Sequence, residues 1–82
     1  MWLKGTIGIP ANKATEKEYI AVHYSIKVYD EPSKFGINHG KISKLELKQG
    51  GKIVANYDRG WDIRPTTKEA EIALCILLDQ HN

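Results

Sequence analysis

The most constraining feature of this 82-residue chain is a strict alternation of residue types between Tyr19 and Tyr29. Every second residue is apolar or aromatic, namely Ile20, Val22, Tyr24, Ile26 and Val28. Because successive side chains of a strand point to opposite faces, this pattern predicts a long strand with one buried face. The rest of the chain must supply the elements that cover that face.

A first strand ends at Pro10 and has its apolar residues at one parity, namely Leu3, Ile7 and Ile9. Residues 11–18 are polar and carry no pattern, which predicts a surface loop. A second loop is expected from Asp30 to Gly40, since proline and glycine punctuate it. Within it, Phe35 and Ile37 are apolar and are expected to tuck against the body of the domain.

Two more strands are expected after this loop. The third, Lys41–Lys48, changes parity after Ile42, and a β-bulge near Ser43 and Lys44 would reconcile the two halves. The fourth is Lys52–Tyr57. The pair Gly50-Gly51 between them favours a type I′ hairpin, because both central residues of that turn need positive φ.

The last element is predicted to be a helix over Lys68–Gln80, with Thr66 and Glu69 as a capping box. Its apolar residues cover most of the circumference: Ala70, Ile72, Ala73, Leu74, Cys75, Ile76 and Leu77. Such a helix is buried on more than one side. Either the long loops cover it or it forms a homodimer with a second copy, and the homodimer is favoured. Cys75 is expected to be an inert core residue.

These elements predict one α+β domain over residues 1–82, a four-stranded antiparallel sheet with the C-terminal helix packed on one face (ββββα). With 12 basic and 10 acidic residues, the charge is too balanced to imply a nucleic-acid partner by itself. The single cysteine excludes an internal disulfide and fits a reducing compartment. Neither a secretion signal nor a membrane-length apolar run is evident, so a cytoplasmic protein without membrane contact is expected.

The segment from Tyr57 to Pro65 is the first candidate site, and its binding residues would be Tyr57, Asp58, Arg59, Trp61, Asp62 and Arg64. Arginine and tryptophan are enriched at interface hot spots. The alternative is a structural connection, in which Gly60 supplies a special backbone angle and Trp61 plugs the core. Catalysis by the two aspartates is disfavoured because no nucleophile or histidine is near in sequence.

The outward sheet face is the second candidate. Its predicted members are aromatic, histidine and lysine side chains, namely Trp2, Lys4, Tyr19, His23, Lys27, Tyr29, Lys44 and Lys48. Aromatic rings among lysines suit single-stranded nucleic acid. The alternatives are a solvated face or one covered by a protein partner, since Glu46 interrupts the lysines. His23, His39 and His81 lack ligand spacing, so no metal or cofactor is expected.

Several segments resemble a family of small uncharacterised proteins of Gram-positive bacteria, their phages and mobile elements. They are residues 28–33, 35–37, 40–45 and 56–63, the last reading Asn-Tyr-Asp-Arg-Gly-Trp-Asp-Ile. Residues 11–18 look like an insertion relative to that family. The resemblance implies a phage-borne protein with no assigned activity, and small phage proteins often block host defence proteins.

The favoured function is therefore a non-enzymatic binding protein that acts by protein–protein contact, as an inhibitor of a host defence system. One alternative is a nucleic-acid-binding module that uses the open sheet face. Another is a small-ligand binder at a dimer interface, in which Arg59 grips an anionic group.

Overall fold

The computed structural model describes residues 1–10 and 19–82. In chain order the elements are β1 (Trp2–Pro10), β2 (Tyr19–Val28), a 3₁₀ turn (Ile37–His39), β3 (Ile42–Gln49), β4 (Lys52–Asp58), β5 (Trp61–Ile63) and α1 (Lys68–His81). The strands form one antiparallel sheet in the order β1-β2-β3-β4-β5. The predicted α+β class is confirmed, but within the described residues the sheet has five strands and not four. The loop predicted at 11–18 lies outside the described residues.

The alternation in β1 and β2 places one parity in the core, as predicted. Ile9, Val22 and Ile26 are buried, and so are Leu45 and Leu47 of β3. They form one cluster with the helix residues Ala70, Ala73 and Leu77. The helix therefore covers one face of the sheet, and the opposite parity of each central strand faces outward.

A β-bulge in β3 reconciles its two parities, as the sequence predicted. Lys27 of β2 pairs with Lys44, whereas the next residue, Val28, pairs with Ile42. Ser43 is thus the extra residue of β3, and it lets both Ile42 and Leu45 point into the core. The same bulge aims Lys44 at the outward face.

The turn between β3 and β4 is formed by Gly50 and Gly51, with Gln49 and Lys52 paired on either side. Their φ angles are 59° and 78°. Both lie in the left-handed region that a type I′ turn requires, so the hairpin prediction is confirmed.

The fifth strand lies inside the Tyr57–Pro65 segment, which the sequence predicted to be either a binding site or a structural connection. Trp61 pairs with Tyr57, and Ile63 pairs with Asn56. The rings of Tyr57 and Trp61 meet edge to face, with centroids 5.1 Å apart. After β5 the chain leaves the sheet through Pro65, and the N–H of Thr66 donates to the Val54 carbonyl (2.9 Å).

The helix begins at Lys68, as predicted, but its N-cap lies one residue later than predicted. The N-cap is Thr67, whose Oγ1 accepts from the N–H of Ala70 at 3.0 Å. The predicted capping box of Thr66 and Glu69 is wrong, since Glu69 instead accepts from the side chain of Gln49 (2.9 Å).

The wide apolar stripe of α1 is mostly covered within the domain. Leu74, Ile76 and Leu78 are partly buried against the core. Ile72 is 40% exposed, and Cys75 is exposed. The expectation of a buried Cys75 is therefore wrong, and the surface left for a homodimer is narrower than the sequence predicted. No helix within residues 1–10 and 19–82 is long and apolar enough to cross a membrane.

Candidate functional site

The outward sheet face carries the polar and aromatic side chains that the sequence assigned to it. One row across the sheet is formed by Trp2, Lys27, Lys44 and Asp58, which are paired strand to strand. The next row holds Lys4, Ser25, Glu46 and Asn56, and a third holds Thr6, His23 and Lys48. Tyr19 lies at the far end of β2, where it pairs with Pro10.

Lys27 lies at the centre of an aromatic cluster at one end of this face. Its Nζ is 6.0 Å from the Trp2 ring centroid and 5.3 Å from that of Tyr29. These are cation–π distances, so the two rings hold the ammonium group in place. Lys27 also lowers the pKa of the Tyr29 hydroxyl, first by a hydrogen bond and then by its charge, with smaller contributions from Ser43 and Arg59.

The turn between β4 and β5 brings Arg59 to the same end of the sheet. Arg59 has a φ of 62°, a left-handed conformation that is uncommon for a side-chain-bearing residue. Its N–H donates to the Ser43 carbonyl at 3.3 Å. This hydrogen bond ties the β3 bulge to the β4–β5 turn. Arg59 therefore lies on the same side of the sheet as Lys44, and both residues line one cleft.

Phe35, on the loop after β2, closes the cluster from the other side. The Arg59 guanidinium carbon lies 5.8 Å from the centroid of its ring. The Tyr57 hydroxyl donates to the Phe35 carbonyl at 2.9 Å, and the Phe35 N–H donates to Ser33 Oγ at 3.1 Å. These bonds fix the backbone around Phe35, although its ring remains exposed.

The same loop is anchored at its base by Asn82. The side-chain Nδ2 of Asn82 donates to the Ile37 carbonyl (2.9 Å), and its Oδ1 accepts from the N–H groups of Lys41 (3.0 Å) and Ile42 (3.3 Å). Ile37 is buried, as the sequence predicted, whereas the expectation that Phe35 tucks in is met only in part.

Between these groups lies a cleft of about 170 Å³, which we call the basic cleft. Its walls are formed by Lys27, Tyr29, Ser33, Phe35, Ser43, Lys44 and Arg59. Three of these side chains are cationic and three carry hydroxyl groups, and none of the described lining residues is acidic. Asp58 lies just outside, with a carboxylate oxygen 3.7 Å from Lys44 Nζ.

The structure divides the predicted Tyr57–Pro65 site between two tasks. Arg59 reaches the basic cleft, whereas Tyr57 is buried and Trp61 is packed against the core. Arg64 lies over the Trp61 ring at 5.8 Å. Asp62 lines a shallow hollow with Asn56, Asp58, Gly60 and Trp61.

Three residues of the basic cleft, Ser33, Phe35 and Ser43, were missed as site candidates. Ser33 and Phe35 lie on the long loop after β2, about 10 residues before the bulge at Ser43 that they face. An apolar residue between prolines and glycines was the signal that could have identified Phe35. The residues that lie near Phe35 in the cleft are brought there by the β3 bulge and by the β4–β5 turn.

The histidines play no part in the basic cleft. His23 Nδ1 lies 2.8 Å from Thr6 Oγ1 on the outward face, in hydrogen-bond contact. Within the ranges 1–10 and 19–82, no three His, Cys, Asp or Glu side chains are grouped so that they could hold a metal ion.

The whole chain, residues 1–82, matches the family model described as a domain of unknown function, DUF7678. The chain belongs to the DUF7678 family. No curated protein and no solved structure matches it. The prediction that the chain resembles an uncharacterised protein family is thus confirmed. That the family occurs in Gram-positive bacteria, their phages and mobile elements stays a prediction.

Proposed function

We propose that this DUF7678 protein is a non-enzymatic binding protein that contacts another protein through the end of its open sheet face. The observation that carries the proposal is the cluster of aromatic rings around the basic cleft. Trp2, Tyr29 and Phe35 are between 46% and 53% exposed, although each contacts a cationic side chain. Interface hot spots are enriched in Trp, Tyr and Arg, and exposed apolar patches mark interaction sites.

The backbone around this cluster supports recognition by a surface of fixed shape. Two of the aromatic residues, Phe35 and Trp2, belong to segments held by hydrogen bonds: Phe35 through Tyr57, and the N-terminus through Met1, whose amino group donates to the Val28 carbonyl at 2.9 Å. A surface ordered before binding loses less conformational entropy when a partner docks. The surface therefore suits a defined partner.

The identity of the partner is suggested by the resemblance to phage-borne proteins. A component of a host defence system, which this protein would inhibit by contact, is the partner class we propose.

The test is capture of host proteins on tagged wild-type and variant protein, followed by mass spectrometry. Trp2→Ala and Phe35→Ala are expected to release a protein that the wild type retains, because hot-spot truncations cost about 2 kcal/mol or more. Tyr19→Ala is the matched control, since this ring lies exposed on the same face far from the cluster. A partner retained equally by all variants would contradict the proposal.

Binding of single-stranded nucleic acid is the second candidate, because lysines and aromatic rings share the outward face. Such binding should weaken steeply with salt, and Lys27→Glu or Lys44→Glu should reduce it further. The face also carries Glu46, 3.7 Å from Lys48, and Asp58, 3.7 Å from Lys44. These carboxylates interrupt a phosphate track along the sheet, and for that reason we rank this candidate second.

A further inference from the structure

We infer that the basic cleft binds a phosphate monoester group, a dianion that the protein partner carries on a side chain. The inference rests on the proposed function for the identity of the carrier. It adds the chemical class of the group that the partner inserts, and it assigns a role to Arg59, Lys27 and Lys44 together.

The charges around the cleft call for more than one negative charge in its occupant. Lys27, Lys44 and Arg59 converge from β2, from β3 and from the β4–β5 turn. Asp58 offsets part of the charge of Lys44, whose Nζ lies 3.7 Å from an Asp58 carboxylate oxygen. Because both side chains are exposed, this ion pair is weak. Two cationic side chains remain to be matched by the occupant. A phosphate monoester carries a charge of about −1.5 to −2 near neutral pH.

The hydrogen-bond donors of the cleft fit an oxygen-rich group. The Ser33 side chain already accepts from the Phe35 N–H (3.1 Å), which leaves its own hydroxyl hydrogen to donate. The guanidinium of Arg59 presents donors in a fork that matches two phosphate oxygens. The lowered pKa of Tyr29 shows that the surrounding groups stabilise negative charge at this position.

The size of the cleft restricts what enters it. Its volume of about 170 Å³ is well below the 300–1,000 Å³ that ordinary ligand pockets occupy. It admits one charged group and the first atoms of its carrier. An occupant of this size needs further contacts outside the cleft. The exposed rings of Tyr29 and Phe35 form part of the cleft walls, and the exposed Trp2 ring lies 6.0 Å from Lys27 Nζ.

A phosphodiester fits less well than a monoester. Nucleic acid would present a row of single negative charges spaced along its backbone. Lys27, Lys44 and Arg59 are instead gathered around one small cleft, and Glu46 lies among the side chains of the neighbouring row. A carboxylate has only one charge and two oxygens, so it leaves donors of the cleft unmatched.

The experiment is a titration of the full chain, followed by NMR at one pH and constant ionic strength, with methyl phosphate, dimethyl phosphate and acetate as probes. We expect saturable shifts of the backbone amides of Arg59 and Ser43 and of the Arg59 side-chain Nε–H with methyl phosphate. The diester and acetate should bind at least about tenfold more weakly, because each lost charge-assisted hydrogen bond weakens binding by about this factor or more.

Two substitutions with a matched control locate the site. Arg59→Gln and Lys27→Met should each weaken methyl phosphate binding by about tenfold or more. Arg64→Gln is the control, because Arg64 lies over Trp61 and outside the cleft. The amide spectrum of each variant shows whether it is folded, and Lys27→Met keeps the test valid if Arg59→Gln does not fold.

Three results would overturn the inference. The first is equal binding of methyl phosphate and dimethyl phosphate, which would favour nucleic acid. The second is equal binding of methyl phosphate and acetate. The third is chemical shifts that do not saturate, or that change as much at Arg64 as at Arg59. The partner capture described above is a separate measurement. Capture that Trp2→Ala and Phe35→Ala leave unchanged, alongside saturable methyl phosphate binding at the basic cleft, would overturn the proposed function alone. Loss of capture with these variants, without saturable methyl phosphate binding, would overturn this inference alone.

Discussion

Arg59 shows how a single residue can serve the backbone and the surface at once. Its φ of 62° belongs to the region that glycine occupies most easily, and Gly60 follows it directly. A non-glycine residue held in this conformation costs roughly 1–3 kcal/mol. The turn nevertheless carries an arginine, whose side chain reaches the basic cleft. We take this strained position as support for a functional role.

Replacement of Arg59 by glycine or by alanine separates strain from function. Both variants lack the guanidinium group, but only alanine keeps the side chain that the left-handed backbone disfavours. We expect Arg59→Ala to be about 1 kcal/mol less stable than Arg59→Gly. Thermal unfolding measures this as a lower Tm of the alanine variant, roughly 4–8 °C for a small domain. Equal midpoints would mean that the turn relaxes without cost.

Tyr29 reports the positive potential of the basic cleft. Its pKa is lowered from the ordinary 10.0, mainly by Lys27, so the phenolate is favoured in the folded state. A lowered pKa of this kind adds stability above the unfolded-state pKa, and that stability is lost as the pH falls through the folded-state value. Lys27→Met should therefore move the pKa of Tyr29 upward toward 10.0.

The Tyr29 titration is measured by the chemical shift of its ring carbon that bears the hydroxyl. Lys4→Met is the control, because Lys4 lies in a different row of the same face, paired with Ser25. An unchanged midpoint in the Lys27 variant would show that Lys27 is not the main cause of the lowered value.

At the scale of elements, the predictions that succeeded rest on local patterns. The alternation of β2 defines its buried face over ten residues. The bulge at Ser43 was implied by the change of parity between Ile42 and Leu45, and the hairpin by two consecutive glycines. Each signal lies within the segment that it predicts, so no knowledge of distant contacts was needed.

The predictions that failed depend on contacts between distant segments. β5 has only three residues, too few to show alternation, and it exists because Tyr57 pairs with Trp61. Thr66 and Thr67 are equally suited to capping, and the choice falls to Thr67 because Thr66 bonds to Val54. The basic cleft likewise joins β2, β3, a loop and a turn. The sequence placed Lys27, Tyr29 and Lys44 on one sheet face but assigned Arg59 to a separate site.

Asn82 links the end of the helix to the loop that carries Phe35. Asn82→Ala would remove one donor and one acceptor that together satisfy three backbone groups of residues 37, 41 and 42. We expect a loss of about 1–3 kcal/mol in the free energy of unfolding. The amides of Lys41 and Ile42 should exchange with solvent faster than in the wild type.

A matched control for this substitution is Gln80→Ala, since Gln80 is an exposed helix residue two positions earlier. Denaturant unfolding gives the change in stability, and hydrogen exchange shows whether it is confined to the loop. Equal exchange at Lys41 and Ile42 in both variants would mean that the helix end does not hold the loop.

At the scale of the whole molecule, the sheet separates two surfaces with different properties. The outward face carries the basic cleft and its ring of aromatic side chains. On the other side, the helix exposes Ile72 and Cys75, which is the surface that remains for the predicted homodimer. A dimer formed there would leave both copies of the basic cleft free for partners. Self-association and partner binding should therefore respond to different substitutions.

Ile72→Glu tests this separation. The variant should be monomeric by light scattering at concentrations where the wild type is a dimer, because burying a carboxylate at the contact is costly. It should keep its affinity for methyl phosphate and for the captured partner, since Ile72 lies on the opposite side of the sheet. Trp2→Ala should show the reverse: an unchanged mass and a loss of the partner.

A wild-type protein that scatters as a monomer at every concentration would contradict the dimer, and loss of partner binding in Ile72→Glu would show that the two surfaces are coupled.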